Sequence, residues 1–409
     1  MRERRQVYLD HSASTPIDVR VQKAMLPFFG EVYGNSSSAH QYGRAAERAV
    51  EDARERVAAI LRCQAAEVVF TGGGSESDNL AVRGAGWRSR QLGKSNRLIT
   101  SPVEHSAVTQ TIRQMDALMG FEAEFVPVDS SGLVDEAAFE QACRQGGAIA
   151  SVIYANNELG SINDLTRLSL IARRHGVPFH SDAVQAGGQM TLDVGALGVD
   201  MLSLSAHKFY GPKGVGILYI REGIELASAI TGGGHEHGQR AGTHNTAGIV
   251  GLAKALELAH DENAERSAHF SRLRNRLVAG VLQAVSGAEL SGHPVQRLPS
   301  HASFVLPGID ANALLMHLDM WGISASSGSA CKVGDPAPSE ILLALGYSPE
   351  AAKCGLRLSV GTSTTTSDID YVVDVLADAS KKLRNLYAND ALRENGRQSA
   401  AKPAAVPER

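Results

Sequence analysis

Lys208 lies in Ser203-Leu-Ser-Ala-His-Lys-Phe-Tyr-Gly-Pro-Lys-Gly-Val-Gly216, a tight loop between two apolar runs, Val199 to Leu204 and Val215 to Ile220. The Gly211-Pro212 pair and the glycines at 214 and 216 force turns there. An amine held by rigid backbone beside hydroxyls and a histidine suits Schiff-base chemistry, since partial desolvation lowers its pKa and makes it a nucleophile. By itself the position also fits a solvated loop lysine. Thr71-Gly-Gly-Gly-Ser-Glu-Ser77 follows an apolar run and opens a helical pattern, so its bare amides and the helix dipole can hold a phosphate. It lacks the lysine of a nucleotide P-loop. Asp182 directly follows Val177-Pro-Phe-His-Ser181, where an aspartate can cap a helix or face a ligand. A carboxylate of this kind is what the pyridinium nitrogen of a pyridoxal cofactor needs, and lysine, aspartate and glycine cradle form one consistent set.

The elements that would position these groups alternate. Apolar strands are expected at 67–70, 97–100, 123–128, 148–154 and 177–181, with helices at 75–90, 104–119, 135–144 and 164–175 between them. Such alternation of helices with near-continuous apolar strands predicts an α/β fold with a mostly parallel central sheet covered on both faces, and ligands at the strand carboxyl ends. Before it come an arm, a helix from about Asp18, the small-residue loop 33–40 and a long amphipathic helix with Ala45, Ala49, Ala53, Val57, Ile60 and Leu61 on one face. After Gly248 a long helical region has a charged middle at 261–266, read as a hinge. The expected division is an N-terminal arm at 1–17 that packs with the small domain, a large domain at 18–260, a smaller α+β domain at 261–387 and a flexible tail at 388–409.

The chain has 409 residues, 43% hydrophobic and 21% charged, with a net charge of −4. Without net positive charge, nucleic-acid binding loses its electrostatic support. Four separated cysteines suggest a reduced interior rather than a disulfide framework. The charged start and the lack of a bilayer-length apolar run point to the cytoplasm and to no membrane role. His235, His237 and His244 lack the close pairing of a structural zinc site, and no metal is expected.

Nine motifs then carry a family resemblance: Leu9-Asp10-His-Ser-Ala-Ser-Thr-Pro16, Val103-Glu-His-Ser106, Asn156-Asn-Glu-Leu-Gly160, Asp182-Ala-Val-Gln185, Ser205-Ala-His-Lys208, Gly232-Gly-Gly-His-Glu236, Arg240-Ala-Gly-Thr243, Ser326-Ser-Gly-Ser-Ala-Cys331 and Arg357-Leu-Ser-Val-Gly361. From Tyr8 to about Leu386 the chain resembles the cysteine desulfurases of the class V aminotransferase family, pyridoxal-phosphate enzymes of fold type I. The Cys331 segment resembles their long-loop class.

The resemblance implies that Lys208 carries pyridoxal 5'-phosphate as a Schiff base, with Asp182 at the pyridine nitrogen and Gln185 and Asn157 at the ring oxygen. It implies phosphate binding by Gly74, Ser75, Ser205 and His207, with Thr243 arriving from a second subunit, hence a homodimer with shared active sites. His105 would stack on the ring and shuttle protons, and Arg357, with Asn35 nearby, would clamp the substrate carboxylate. Cys331 would take sulfur from L-cysteine as a persulfide, for an acceptor such as an iron–sulfur scaffold or a sulfur carrier. A selenocysteine lyase, or another class V lyase that does not need Cys331, is the alternative. The chain departs from the family pattern at Gly72, Gly74 and Ser75 in the cradle, at Ser36 in place of proline, at Ala206 in place of glycine and at His237 in place of arginine.

Overall fold

The computed structural model describes residues 5–327 and 337–400, with side chains as far as 386. Twelve strands are formed among them: β1 Val7–Tyr8, β2 Val68–Thr71, β3 Arg97–Thr100, β4 Glu122–Phe125, β5 Ile149–Ser151, β6 Phe179–Asp182, β7 Met201–Ser205, β8 Gly216–Ile220, β9 Glu289–Leu290, β10 His301–Val305, β11 Ile323–Ser324 and β12 Gly355–Ser359. Seven make a sheet in the order β2-β8-β7-β6-β5-β3-β4. β7, β6, β5, β3 and β4 run parallel, whereas β8 is antiparallel to both its neighbours. The sheet is therefore mostly parallel, as the alternation predicts.

Its central strands β5, β6 and β7 are buried on both faces by helices such as Gly74–Gln91, Ser106–Met119 and Leu165–Arg174, whereas the edge strand β4 is only partly covered. Asp164 caps the last of these through the Arg167 amide, and His105 caps the second through the Ala107 amide. The carboxyl ends of β3, β5, β6 and β7 thus deliver 101–105, 152–157, Asp182 and 205–208 to one edge of the sheet.

A second sheet, β12-β10-β9, is antiparallel, and β1 pairs with β11 in parallel. Val7 and Leu9 of the arm are buried with Phe270, Leu277, Phe304 and Leu356, in a cluster separate from the one beneath the large sheet. The closing helix runs Thr366–Ala400. Its backbone stays helical beyond residue 388.

The helix Gln41–Leu61 differs in detail from its pattern. Its buried face is Ala46, Val50, Ala53, Val57 and Leu61, one step round from Ala45 and Ala49, and Arg54 is buried among them. A buried guanidinium is stable only with a buried partner, which no apolar spacing reveals. That partner is Glu236.

Candidate active site

The strand ends enclose a cavity of about 860 Å³. Lys208, Asp182, His105, Asn157, Gln185 and Arg357 line it, together with Gly74, Ser75, Ser205 and His207. Ten of the residues singled out in the sequence are therefore brought together.

Lys208 ends a single 3-10 turn directly after β7. Its Nζ donates to the carbonyl oxygens of Ser12 at 2.5 Å and Ala13 at 3.0 Å, so it is not a solvated loop lysine. Gln185 Nε2 donates to the same Ser12 carbonyl at 2.9 Å, and Ser12 Oγ meets His301 Nδ1 at 2.9 Å. Ser12 is a hub that sequence reasoning missed, although it lies in the first quoted motif.

Asp182 is 3% exposed and accepts from the Val184 amide at 2.9 Å. It, His105 and Asp78 each bring one polar atom to within 4.8 Å of the others. Burial pushes the Asp182 carboxyl up, while His105 and Lys208 pull it back. Burial, with the repulsion of Asp182, holds the Asp78 carboxyl well above the usual carboxylate range. Glu104, fully buried, is pushed up to about 8 by the same desolvation. Such a group of buried acids is relieved by a cation. His105 accepts the Ala107 amide at Nδ1, 3.1 Å, and burial lowers its pKa, which leaves a neutral ring with its proton on Nε2. Asp78 was also missed; the signal is a carboxylate three, four and seven positions before Ala81, Val82 and Ala85 on the buried face of its helix.

Two glycines shape the cradle. Gly73 has φ +148°, which side chains rarely adopt. A Cβ on Gly74 would stand 2.7 Å from Val184 Cγ2, so only glycine lets the helix start come this close to the loop after β6.

Arg357, on β12, donates through Nη2 to Asp10 at 2.8 Å and through Nη1 to the Asn157 carbonyl at 3.0 Å. Its Nε and Asn157 Oδ1 are buried without partners. Asn35 and Thr243 are exposed and do not line the cavity, so the expected nearness of Asn35 to Arg357 is not found within one chain. Their loops instead adjoin each other, Ser36 Oγ lying 2.8 Å from His244 Nδ1. His244 spends its other ring nitrogen on Glu236, at 2.6 Å.

Cys331 lies outside the described residues. On one side of its segment Ser326 pairs with Arg357 through backbone bonds of 2.7 and 3.2 Å, and on the other Ala337 and Pro338 line the cavity. The remaining cysteines are unpaired, and burial pushes the Cys63 and Cys143 thiols up to about 12.

Together the features fit pyridoxal 5'-phosphate: an anion site at a helix start, a buried acid group that calls for a protonated ring nitrogen and an amine within the same cavity. The fold and the cavity define a pyridoxal-phosphate-dependent enzyme of fold type I. Residues 7–372 match the family model described as Aminotransferase class-V, and the chain belongs to that family. It is 41% identical over 383 residues to the cysteine desulfurase IscS of Dictyoglomus turgidum, covering 94% of this chain and 96% of the relative. A solved structure described as a NifS-like protein superposes with a TM-score of 0.84 at 34% identity, covering 91% of this chain and 99% of that one. The apo cysteine desulfurase of Thermococcus onnurineus NA1 does so with a TM-score of 0.81 at 25% identity, covering 92% and 95%. No described helix is long and apolar enough to cross a membrane.

Proposed function

We infer that this chain is a cysteine desulfurase, which converts L-cysteine to L-alanine and holds the sulfur on Cys331 as a persulfide for an acceptor protein. The observation that carries the reading is that Lys208, Asp182 and Arg357 open on one cavity rimmed by the residues that follow the Cys331 segment. The likeness to named desulfurases along nearly the whole chain supports it.

Bound in this cavity, pyridoxal 5'-phosphate supplies an electron sink for the pair left when the substrate Cα–H bond breaks. Asp182 would hold the ring nitrogen, Gln185 and Asn157 the ring oxygen, and Gly74, Ser75, Ser205 and His207 the phosphate. Arg357 would orient the substrate carboxylate through its unpartnered Nε edge. Lys208 takes the Cα proton at Nζ, where the Ser12 and Ala13 carbonyls stabilise the ammonium formed. His105, kept neutral by burial, passes a proton at Nε2. The Cys331 thiolate attacks the substrate sulfur: an S–S bond forms, the Cβ–S bond breaks, and its electron pair stays on the carbon skeleton, which takes up a proton and leaves as alanine. L-cysteine plus thiol thus gives L-alanine plus persulfide.

The working form is a homodimer in which Thr243, exposed on its loop, reaches the phosphate of the other chain. The acceptor is an iron–sulfur scaffold or a sulfur carrier, in the cytoplasm. Alanine release from L-cysteine and from selenocysteine, with wild type and Cys331→Ala, tests the reading. Loss of persulfide and of alanine from L-cysteine in the variant is expected; full sulfur transfer without Cys331 would favour the lyase alternative.

A further inference from the structure

In the segment from Glu236 to His244 the reaction above uses Thr243 alone, yet the residues around it are held in an unusual way. Glu236 and His237 have φ of +49° and +53°, a conformation that residues other than glycine rarely keep. Glu236 is buried, and its carboxylate accepts from Arg54 Nη1 and Nη2 at 2.7 and 2.9 Å, from His244 Nε2 at 2.6 Å and from the Phe70 amide at 2.8 Å. Burial alone would raise this carboxyl, but the hydrogen bonds from Arg54 and His244 outweigh it and hold it at about 2.

Phe70 belongs to β2, the edge strand of the large sheet. Arg54 Nη1 also donates to the Val68 carbonyl at 2.6 Å. The ion pair therefore takes the place of a missing neighbour strand along β2, whose last residue, Thr71, begins the glycine cradle.

Four residues on, the same segment grips the other flank of the cradle. Glu76 lies in the first turn of the cradle helix. Its carboxylate accepts the Gly72 amide at 2.9 Å and Arg240 Nε at 2.7 Å. An unpaired carboxylate there would repel an anion arriving at the helix start, and Arg240 neutralises it.

We propose that Glu236 to Arg240 braces the phosphate cradle of its own chain, with Glu236 and Arg240 as positioning residues for the cofactor phosphate. Glu236 sets the strand that enters the cradle, and Arg240 turns Glu76 onto the Gly72 amide and away from the anion. The proposal rests on the reading of the cavity as a pyridoxal-phosphate site.

A pair of ligands separates positioning from general stability. Cofactor-stripped holoenzyme is titrated with pyridoxal 5'-phosphate and with pyridoxal, which lacks the phosphate, and binding is followed by absorbance. Glu236→Gln and Arg240→Gln should each bind pyridoxal 5'-phosphate about tenfold more weakly than wild type, with pyridoxal affinity unchanged. A parallel loss for both ligands, or a loss for neither, overturns the brace. Should Glu236→Gln not fold, Arg240→Gln decides alone, since its ion pair is partly exposed. A wild type that does not prefer the phosphate ester removes the cofactor reading itself, and the brace with it.

Discussion

Arg357 Nη2 lies 2.8 Å from Asp10 Oδ1, so the arginine that would meet the substrate carboxylate is already held by a carboxylate of the N-terminal arm. Asp10 also bridges Ser359 on the same strand as Arg357. The arm therefore orients the guanidinium and leaves its Nε without a partner. Arg357→Ala should raise KM for L-cysteine about 100-fold, near 3 kcal/mol for a charge-assisted pair, with a smaller change in kcat. Asp10→Asn should move KM in the same direction by less, because the arginine remains but is held loosely. Steady-state kinetics of alanine release check both; an unchanged KM in Arg357→Ala would remove its role.

Lys208→Ala should keep the phosphate cradle and Asp182, and so still bind pyridoxal 5'-phosphate, but without the covalent bond. The visible absorption of the lysine-bound cofactor should vanish, and alanine formation should fall by about 100- to 10,000-fold, the usual share of a positioned general base. Retention of that absorption in the variant would contradict the assignment.

Glu104 gives a pH dependence whose sign is set by its raised pKa. The carboxyl titrates at about 8 in the folded chain against an ordinary 4.5, so the folded state binds the extra proton between those values. Its contribution is fully present below pH 4.5 and is lost as pH rises through 8, at about 1.4 kcal/mol per unit. Glu104→Gln, which cannot ionise, should flatten the fall in unfolding free energy between pH 5 and pH 9. Denaturant unfolding at these two values measures it, and equal slopes in variant and wild type would refute it.

Thiol reactivity should single out one cysteine. Cys63 and Cys143 are pushed up to about 12 by burial and should be inert at pH 8, and Cys354 is buried. Brief alkylation of the native protein, read by peptide mass mapping, should label Cys331 first and abolish sulfur transfer; preferential labelling of Cys63 would count against the assigned nucleophile.

Much of the scaffold was legible because its signals are local. The strand 97–100, the strand expected at 67–70 and formed at Val68–Thr71, and the helix starts near Asp18, Asp135 and Asp164 follow from apolar runs and side-chain chemistry within a few residues. The burial of Arg54 was not legible, since its counter-charge is 182 positions away. Nor was the place of Asn35 and Thr243, whose exposure depends on how two distant loops meet.

The sequence by itself determined the chemistry available: a lysine after one strand, an aspartate at the end of another, a glycine cradle, an arginine and a cysteine, in an alternation that makes a mostly parallel sheet. Residue type and short-range periodicity are enough for that. Only the tertiary structure decided that Ser12 holds Lys208 and Gln185 through one carbonyl, that Asp78 and Glu104 share the buried site of Asp182, and that Asp10 holds Arg357. Each is a polar contact made by groups far apart in the chain, and its strength comes from desolvation, which exists only once the chain has closed around it.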